Sequence, residues 1–220
     1  MTNILAFDTS TDACTAALQV GDKIYSRHEI APRKHAQLLL SMIQELLSEA
    51  NIKLSDLDAI AFGNGPGSFM GVRFATGIAQ GLGFGLSIPL ISVSTLQMIA
   101  QAFHAKTGAE KIVSGWDARM SEIYWGFYVC DDHGVMQPQQ EDALCTPDKL
   151  DKKSYAELGC TFAGNIFSDD TYPEARAMLT IATSKYNLNE ILLPENAHPH
   201  YIRHVVYSVG VRSGSVRGKV

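Results

Sequence analysis

The first place in this 220-residue chain where chemistry could be done is Asp8-Thr9-Ser10. An apolar run, Ile4 to Phe7, delivers a carboxylate and two hydroxyls into a short turn ahead of a second apolar run at Ala13. In such a turn the carboxylate and successive backbone amides can hold Mg²⁺ and a phosphate. The same residues also make an ordinary turn, in which Asp8 and Ser10 satisfy nearby backbone donors. From these residues alone both readings stand.

A second candidate is Gly63-Asn-Gly-Pro-Gly-Ser68. Gly65 and Gly67 permit close backbone approach, and Ser68 stands where a helix N-cap belongs; a helix N-terminus attracts anions. The run contains neither GK[ST] nor GxGxxG, so it is neither a nucleotide P-loop nor a dinucleotide fingerprint, and a capped turn accounts for it. A third is His198-Pro-His-Tyr-Ile-Arg-His204. Pro199 stops a helix from presenting three imidazoles on one face, and no Cys, Asp or Glu lies inside the run. A surface strand with incidental histidines, and no metal, is the expectation. Ser68 lacks a GxSxG elbow, so no nucleophile and no catalytic residue are assigned.

The elements that must position these groups follow from the apolar pattern. Strands are predicted at Ile4–Phe7, Ala13–Val20 and Lys23–Ile30, with Gly21-Asp22 as a two-residue hairpin link. A helix is expected from Arg33 to Ala50, a strand at Ala59–Gly63, a helix after Ser68, a strand near Leu90–Val93 and a helix over Ser94–Phe103. Strands alternating with helices after a meander argue for an α/β fold with a mixed sheet. The order strand, Asp turn, strand, Gly/Asp turn then recurs at Ile112–Asp117, Glu122–Cys130 and Asp131–Gly134. Two related halves are expected, residues 1–105 and 106–207, the second reduced: after Pro138 it is polar and broken, with a helix hinted at Pro173–Thr183. Residues 208–220 (SVGVRSGSVRGKV) are expected to be a disordered tail.

Two of these helices carry unusual surfaces. Between Arg33 and Ala50 the apolar positions cover over half the circumference, more than one buried face needs. After Ser68, Gly71, Ala75, Ala79 and Gly83 fall four apart, and so do Gly77, Gly81 and Gly85. Residues at i and i+4 share a face, so two neighbouring rows carry almost no side chain. Glycine inside a helix costs roughly 0.5–1 kcal/mol relative to alanine, which close approach of another helix would offset. The segment is built for helix-to-helix contact more than for holding a ligand.

Composition narrows the classes further. A formal net charge of −5 gives no sign of broad affinity for nucleic acid or a membrane surface. Four cysteines without CxxC spacing suggest reduced thiols in a cytoplasmic protein. Met1-Thr2-Asn3 has no basic region and runs straight into a strand, so no secretory leader is expected. Phe74–Val93 is apolar enough to raise a membrane span, but Arg73, Gln80, Ser87 and Pro89 argue against one.

Taken together, Ile4-Leu-Ala-Phe-Asp-Thr-Ser10, Arg33-Lys-His-Ala-Gln37, Gly65-Pro-Gly-Ser-Phe-Met-Gly-Val-Arg73, Ile91-Ser-Val-Ser-Thr-Leu96, Asp117-Ala-Arg-Met-Ser-Glu-Ile-Tyr124 and Ala197-His-Pro-His-Tyr-Ile-Arg203 resemble the TsaB (YeaZ) family, over residues 1 to about 207. Met70 departs from the family's pattern, which usually has Thr there. The resemblance implies two actin-like (ribonuclease H-like) halves with mixed sheets flanked by helices. It implies a non-catalytic partner of the related subunit TsaD, joined by the ATPase TsaE, in threonylcarbamoylation of adenosine 37 in tRNAs reading ANN codons. TsaD's metal-binding HxxxH pair falls where this chain has Thr95 and Ile99, so no cofactor is expected. Asp8, Thr9, Ser10, Gly65, Gly67 and Ser68 would then be a vestigial nucleotide site. The partner interface would take His35, Leu38, Leu39, Met42, Ile43 and Leu46 from the first helix. From the second it would take Arg73, Phe74, Gly77, Ile78, Gly81 and Leu82. Also expected are a homodimer when TsaD is absent, contact with tRNA through the complex, no membrane, and loss of pairing in Gly77→Leu or Ala79→Leu with the fold intact. The rival readings are an ATP-dependent kinase or ATPase using Asp8 and Asp117 around Mg²⁺, a glycoprotease-like metallopeptidase, and a self-associating scaffold.

Overall fold

Two mixed sheets form, one from each half of the chain, and the computed structural model describes residues 2–167 and 169–203. In the first sheet, β1 (Asn3–Asp8), β2 (Ala13–Val20) and β3 (Lys23–Ile30) run antiparallel, while β4 (Ala59–Gly63) and β5 (Leu90–Val93) join parallel to β1. The order is β3-β2-β1-β4-β5. β1 and β4 are central and buried on both faces, which is why they read as unbroken apolar runs. Successive side chains of β1 point to opposite faces. Leu5 and Phe7 meet one helical layer, and Ile4 and Ala6 meet another.

The outer layer is α1 (His35–Ala50) and α2 (Phe69–Leu86). α1 starts two residues later than the apolar pattern suggests, because Arg33 is left-handed (φ 66) and Lys34 gives no side-chain cap. It buries Leu39, Met42, Ile43, Leu46 and Leu47 against β2 and β3, and ends on a left-handed Asn51. α2 starts where expected: Ser68 Oγ accepts from the Gly71 amide at 3.4 Å.

The inner layer is α3 (Thr95–Thr107) and α5 (Ala175–Asn187), between the two sheets. α3 follows β5 in the chain but packs on the second sheet, placing Leu96, Ile99 and Ala100 against Ile112, Trp116 and Tyr128. α5 belongs to the later half of the sequence but packs on the first sheet. It sets Met178, Leu179 and Ile181 on a floor that includes Ala6, Ala17, Ala59 and Ala61, small side chains that let the helix approach closely.

The second sheet has the order β10-β6-β7-β8, from β6 (Lys111–Arg119), β7 (Glu122–Cys130), β8 (Met136–Pro138) and β10 (Thr161–Ala163); β9 (Ala143–Cys145) pairs with the opposite end of β7. Its outer side carries the short α4 (Lys152–Glu157), where Tyr155 packs on Trp125 and Phe127. So the expectation of an α/β fold with two mixed, helix-flanked sheets matches what forms, although the reduced half holds more strand than its broken sequence suggests.

Two local expectations need correction or fall outside. Residues 198–203 are not a strand: they run irregularly along α2, fastened by the His200 amide to the Asn64 carbonyl at 2.7 Å. His204 and the tail 208–220 lie outside the described residues. Among the described residues, no helix is long and apolar enough to cross a membrane.

Candidate functional site

The Asp8 turn is closed by the glycine loop that follows β4. Asp8, Thr9 and Ser10 are wholly buried. Asp8 Oδ2 accepts from the Ser10 amide at 3.0 Å and the Ser10 hydroxyl at 2.8 Å. Thr9 Oγ1 donates to the Gly71 carbonyl at 2.7 Å, the Ser68 amide donates to the Ser10 carbonyl at 2.7 Å, and Thr95 Oγ1 donates to Ser10 Oγ at 2.9 Å. A Cβ on Gly67 would lie 2.3 Å from the Ser10 carbonyl oxygen, and one on Gly71 would lie 2.0 Å from that of Thr9. These glycines therefore serve approach of the chain to itself.

The Asp8 carboxylate consequently faces protein. Its Oδ1 lies where a Cβ of Gly63 would be and has no hydrogen-bond partner among the described residues. Burial pushes the Asp8 pKa up to about 6, against the Ser10 hydrogen bonds that would lower it. Burial, helped by the Asp8 charge, likewise pushes the Cys14 thiol up to about 12, so it is no nucleophile at neutral pH. Asp117 is half-exposed and pairs with Arg119 at 3.1 Å. It opens on a cleft of about 270 Å³ that Ser10 and Ser68 also line but Asp8 does not. The two carboxylates invoked for a kinase thus do not share a cleft. Among the described residues, no three His, Cys, Asp or Glu side chains converge to hold a metal.

α2 turns its two small-residue rows in different directions. Gly71, Ala75, Ala79 and Gly83 face inward and are buried. Gly71 abuts Thr9, and a Cβ on Gly83 would meet Leu90 at 2.9 Å and Pro194 at 3.0 Å. Gly77, Gly81 and Gly85 face outward, and a Cβ on any of them would find nothing within 4 Å among the described residues. Flanking that open row, Phe74, Ile78 and Leu82 are half-buried on the core's shoulder, and Phe84 is 58% exposed.

The wide apolar stripe of α1 is a different matter. Leu39, Met42, Ile43 and Leu46 are buried against the chain's own sheet, so as interface residues they are corrected to core; packing on both β2 and β3 takes up much of the apolar breadth. Outside the core, α1 leaves His35 and Leu38 half-buried and Leu40 exposed. Ala79 is also core, so Ala79→Leu would overpack the chain's own interior before it touched any partner.

At the N-terminal end of α2 the chain adds residues that spacing could not reveal. The Arg73 guanidinium lies 3.9 Å above the Phe69 ring and donates through Nε to the Tyr201 hydroxyl at 2.6 Å, while the Phe69 and Tyr201 rings stack. Tyr201 lies 128 positions from Arg73, and no local pattern joins them. His35, Phe69, Met70 and Phe74 line one side of a cleft of about 700 Å³ whose far wall is Arg119 and Tyr124 of the second sheet.

Two helix-flanked mixed sheets, a sealed aspartate turn and an open glycine row define the broad class, and residues 20–185 match the family model described as TsaD, tRNA N6-adenosine threonylcarbamoyltransferase. Within that class the chain belongs to the TsaB (YeaZ) family. It is 35% identical to the tRNA threonylcarbamoyladenosine biosynthesis protein TsaB of Escherichia coli (strain K12), over 92% of this chain and 95% of that protein. To the protein of the same name in Haemophilus influenzae it is 36% identical, over 92% and 94%. The solved structure of YeaZ from Pseudomonas aeruginosa superposes with a TM-score of 0.83 at 36% identity, covering 91% of this chain and all of that one.

Proposed function

We propose that this chain is a non-catalytic subunit in the making of threonylcarbamoyladenosine in tRNA, docking through α2 onto a TsaD-type subunit. TsaD would carry out the transfer to adenosine 37 of tRNAs reading ANN codons, TsaE would join the assembly, and tRNA would be met through the complex. The relatives named above carry that pathway in their names. One observation carries the docking reading: among the described residues, the outward row Gly77, Gly81 and Gly85 has nothing within 4 Å of where its side chains would begin, whereas the inward row of the same helix is filled. A helix that forgoes three side chains on its open face loses helix stability and returns nothing to its own core. The compensation has to come from another surface packing close. Phe74, Ile78, Leu82 and Phe84 around the row supply the apolar centre of such an interface, and Arg73 a polar rim.

The sealed Asp8 turn supports the non-catalytic part. Its carboxylate reaches neither cleft nor solvent, and its Oδ2 is taken up by the Ser10 amide and hydroxyl. Half-buried Leu38 and His35 extend the face toward α1, and a homodimer through the same row is expected when TsaD is absent.

The test is co-purification of this chain with the TsaD-type subunit of the same organism, followed by a tRNA modification assay with and without this chain. Association in a defined ratio and modification that depends on it are expected. Modification at full rate without this chain would overturn the reading, and so would tight ATP binding and hydrolysis by this chain alone.

A further inference from the structure

The β6–β7 hairpin closes on three consecutive left-handed residues, none of them glycine: Arg119 (φ 64), Met120 (φ 56) and Ser121 (φ 60). A two-residue hairpin link with positive φ at both centres is normally built from Asn-Gly or Asp-Gly, because a Cβ crowds the following carbonyl there unless glycine removes it or a short polar side chain bonds locally. Met-Ser is a poor choice for the local geometry. The conformation is held from a distance by Arg203. Its Nη2 donates to the carbonyls of Ala118 at 3.1 Å and Arg119 at 3.3 Å and to the Glu122 carboxylate, and its Nη1 touches Met120 Sδ.

What this fastening presents is the Met120 side chain, 81% exposed and the most exposed large apolar side chain among the described residues. Beside it the Arg119 side chain is as open, paired among the described residues with the half-exposed Asp117 at 3.1 Å. Ala118 and Arg119, at the base of the tip, line the 700 Å³ cleft whose other wall includes Phe69, Met70 and Phe74 of α2, which joins the tip to the docking face proposed above. That cleft is lined by Arg33, His35, Arg119 and Arg203 and by a single acid, Asp12.

We propose that Met120 is an anchor that inserts into an apolar pocket of the partner subunit, with Arg119 meeting a carboxylate at the pocket's rim. The strained turn and its Arg203 clamp set the anchor in place before docking, so that little side-chain freedom is lost on binding. Methionine suits the task, being flexible and polarizable enough to fill an irregular pocket. This inference rests on the partner reading above.

The test pairs stability with association for Met120→Gly and Met120→Asn, both tolerant of left-handed backbone. Thermal melting of each variant and calorimetric titration of each with the TsaD-type subunit are expected to give melting points equal to or about 2 °C above the parent. Affinity is expected to fall about tenfold. Unchanged affinity overturns the proposal. A lower melting point overturns it too, since Met120 would then be serving its own fold. Gly77→Leu, run alongside, separates the failures. If it also leaves association intact, the α2 docking reading falls; if it abolishes association while the Met120 variants do not, only the anchor falls.

Discussion

Gly77→Leu sets the stability of the chain against its ability to associate, and the two are expected to move in opposite directions. The Cβ of a residue at 77 would find nothing within 4 Å among the described residues, so the new side chain meets no clash there. Replacing an exposed helical glycine with a good helix former gains about 0.8–1 kcal/mol. For a chain of this size that is a rise in melting temperature of about 2–4 °C. A helix packing on a glycine row sits closer than the usual 8–10 Å interaxial distance, and an isobutyl group in the row forces it out again. Loss of that central contact is expected to weaken association with the TsaD-type subunit by at least about 2 kcal/mol, near thirtyfold. Differential scanning fluorimetry reads the first effect, and isothermal titration or sedimentation velocity reads the second. Gly83→Leu is the internal contrast. Its Cβ would press on Leu90 at 2.9 Å and Pro194 at 3.0 Å, so it should lower the melting point. A Gly77→Leu chain that melts higher yet associates as before would refute the assignment of the outward row to a partner.

Two further predictions concern buried carboxylates. The Asp8 pKa is raised to about 6 in the folded chain from an ordinary 3.8, so protonation favours the fold. That contribution is fully present below about pH 4 and is lost as pH rises through about 6. It is on the order of 3 kcal/mol, a little over two pKa units at 1.36 kcal/mol each. Urea unfolding at pH 5 and pH 8 should therefore show a stability difference that Asp8→Asn largely removes; an identical difference in the variant would refute the burial argument. Asp142, whose pKa is likewise raised by burial, accepts from the Ser94 hydroxyl that caps α3 and from the Tyr128 hydroxyl of β7. Asp142→Ala leaves both hydroxyls without their acceptor and is expected to cost about 1–3 kcal/mol in the same assay. A change within experimental error would show that the link between α3 and the second sheet does not depend on it.

Much of this protein is written locally. The Gly21-Asp22 hairpin, the Ser68 cap and the buried runs of β1 and β4 each follow from a few neighbouring residues, and their geometry agrees with the pattern. α1 begins late because one residue, Arg33, takes a left-handed backbone that its type does not announce. The pairing of Arg73 with Tyr201 and the clamp of Arg203 on the β6–β7 tip join residues more than eighty positions apart, and no spacing rule reaches across that distance.

Read alone, the sequence specifies α2 as a helix with two bare rows and, through its motifs, the family of the chain. It could not say which row a partner would meet, because both rows repeat every four residues and a helix has no preferred face until something packs on it. Packing within the folded chain makes the choice. The Thr9 carbonyl and the Leu90 side chain come close enough to need Gly71 and Gly83, which turns the first row inward and leaves Gly77, Gly81 and Gly85 open. The same holds for α1, whose wide stripe is equally compatible with a partner and with a sheet that it covers across two strands. It was the sheet of its own chain that buried Leu39, Met42, Ile43 and Leu46.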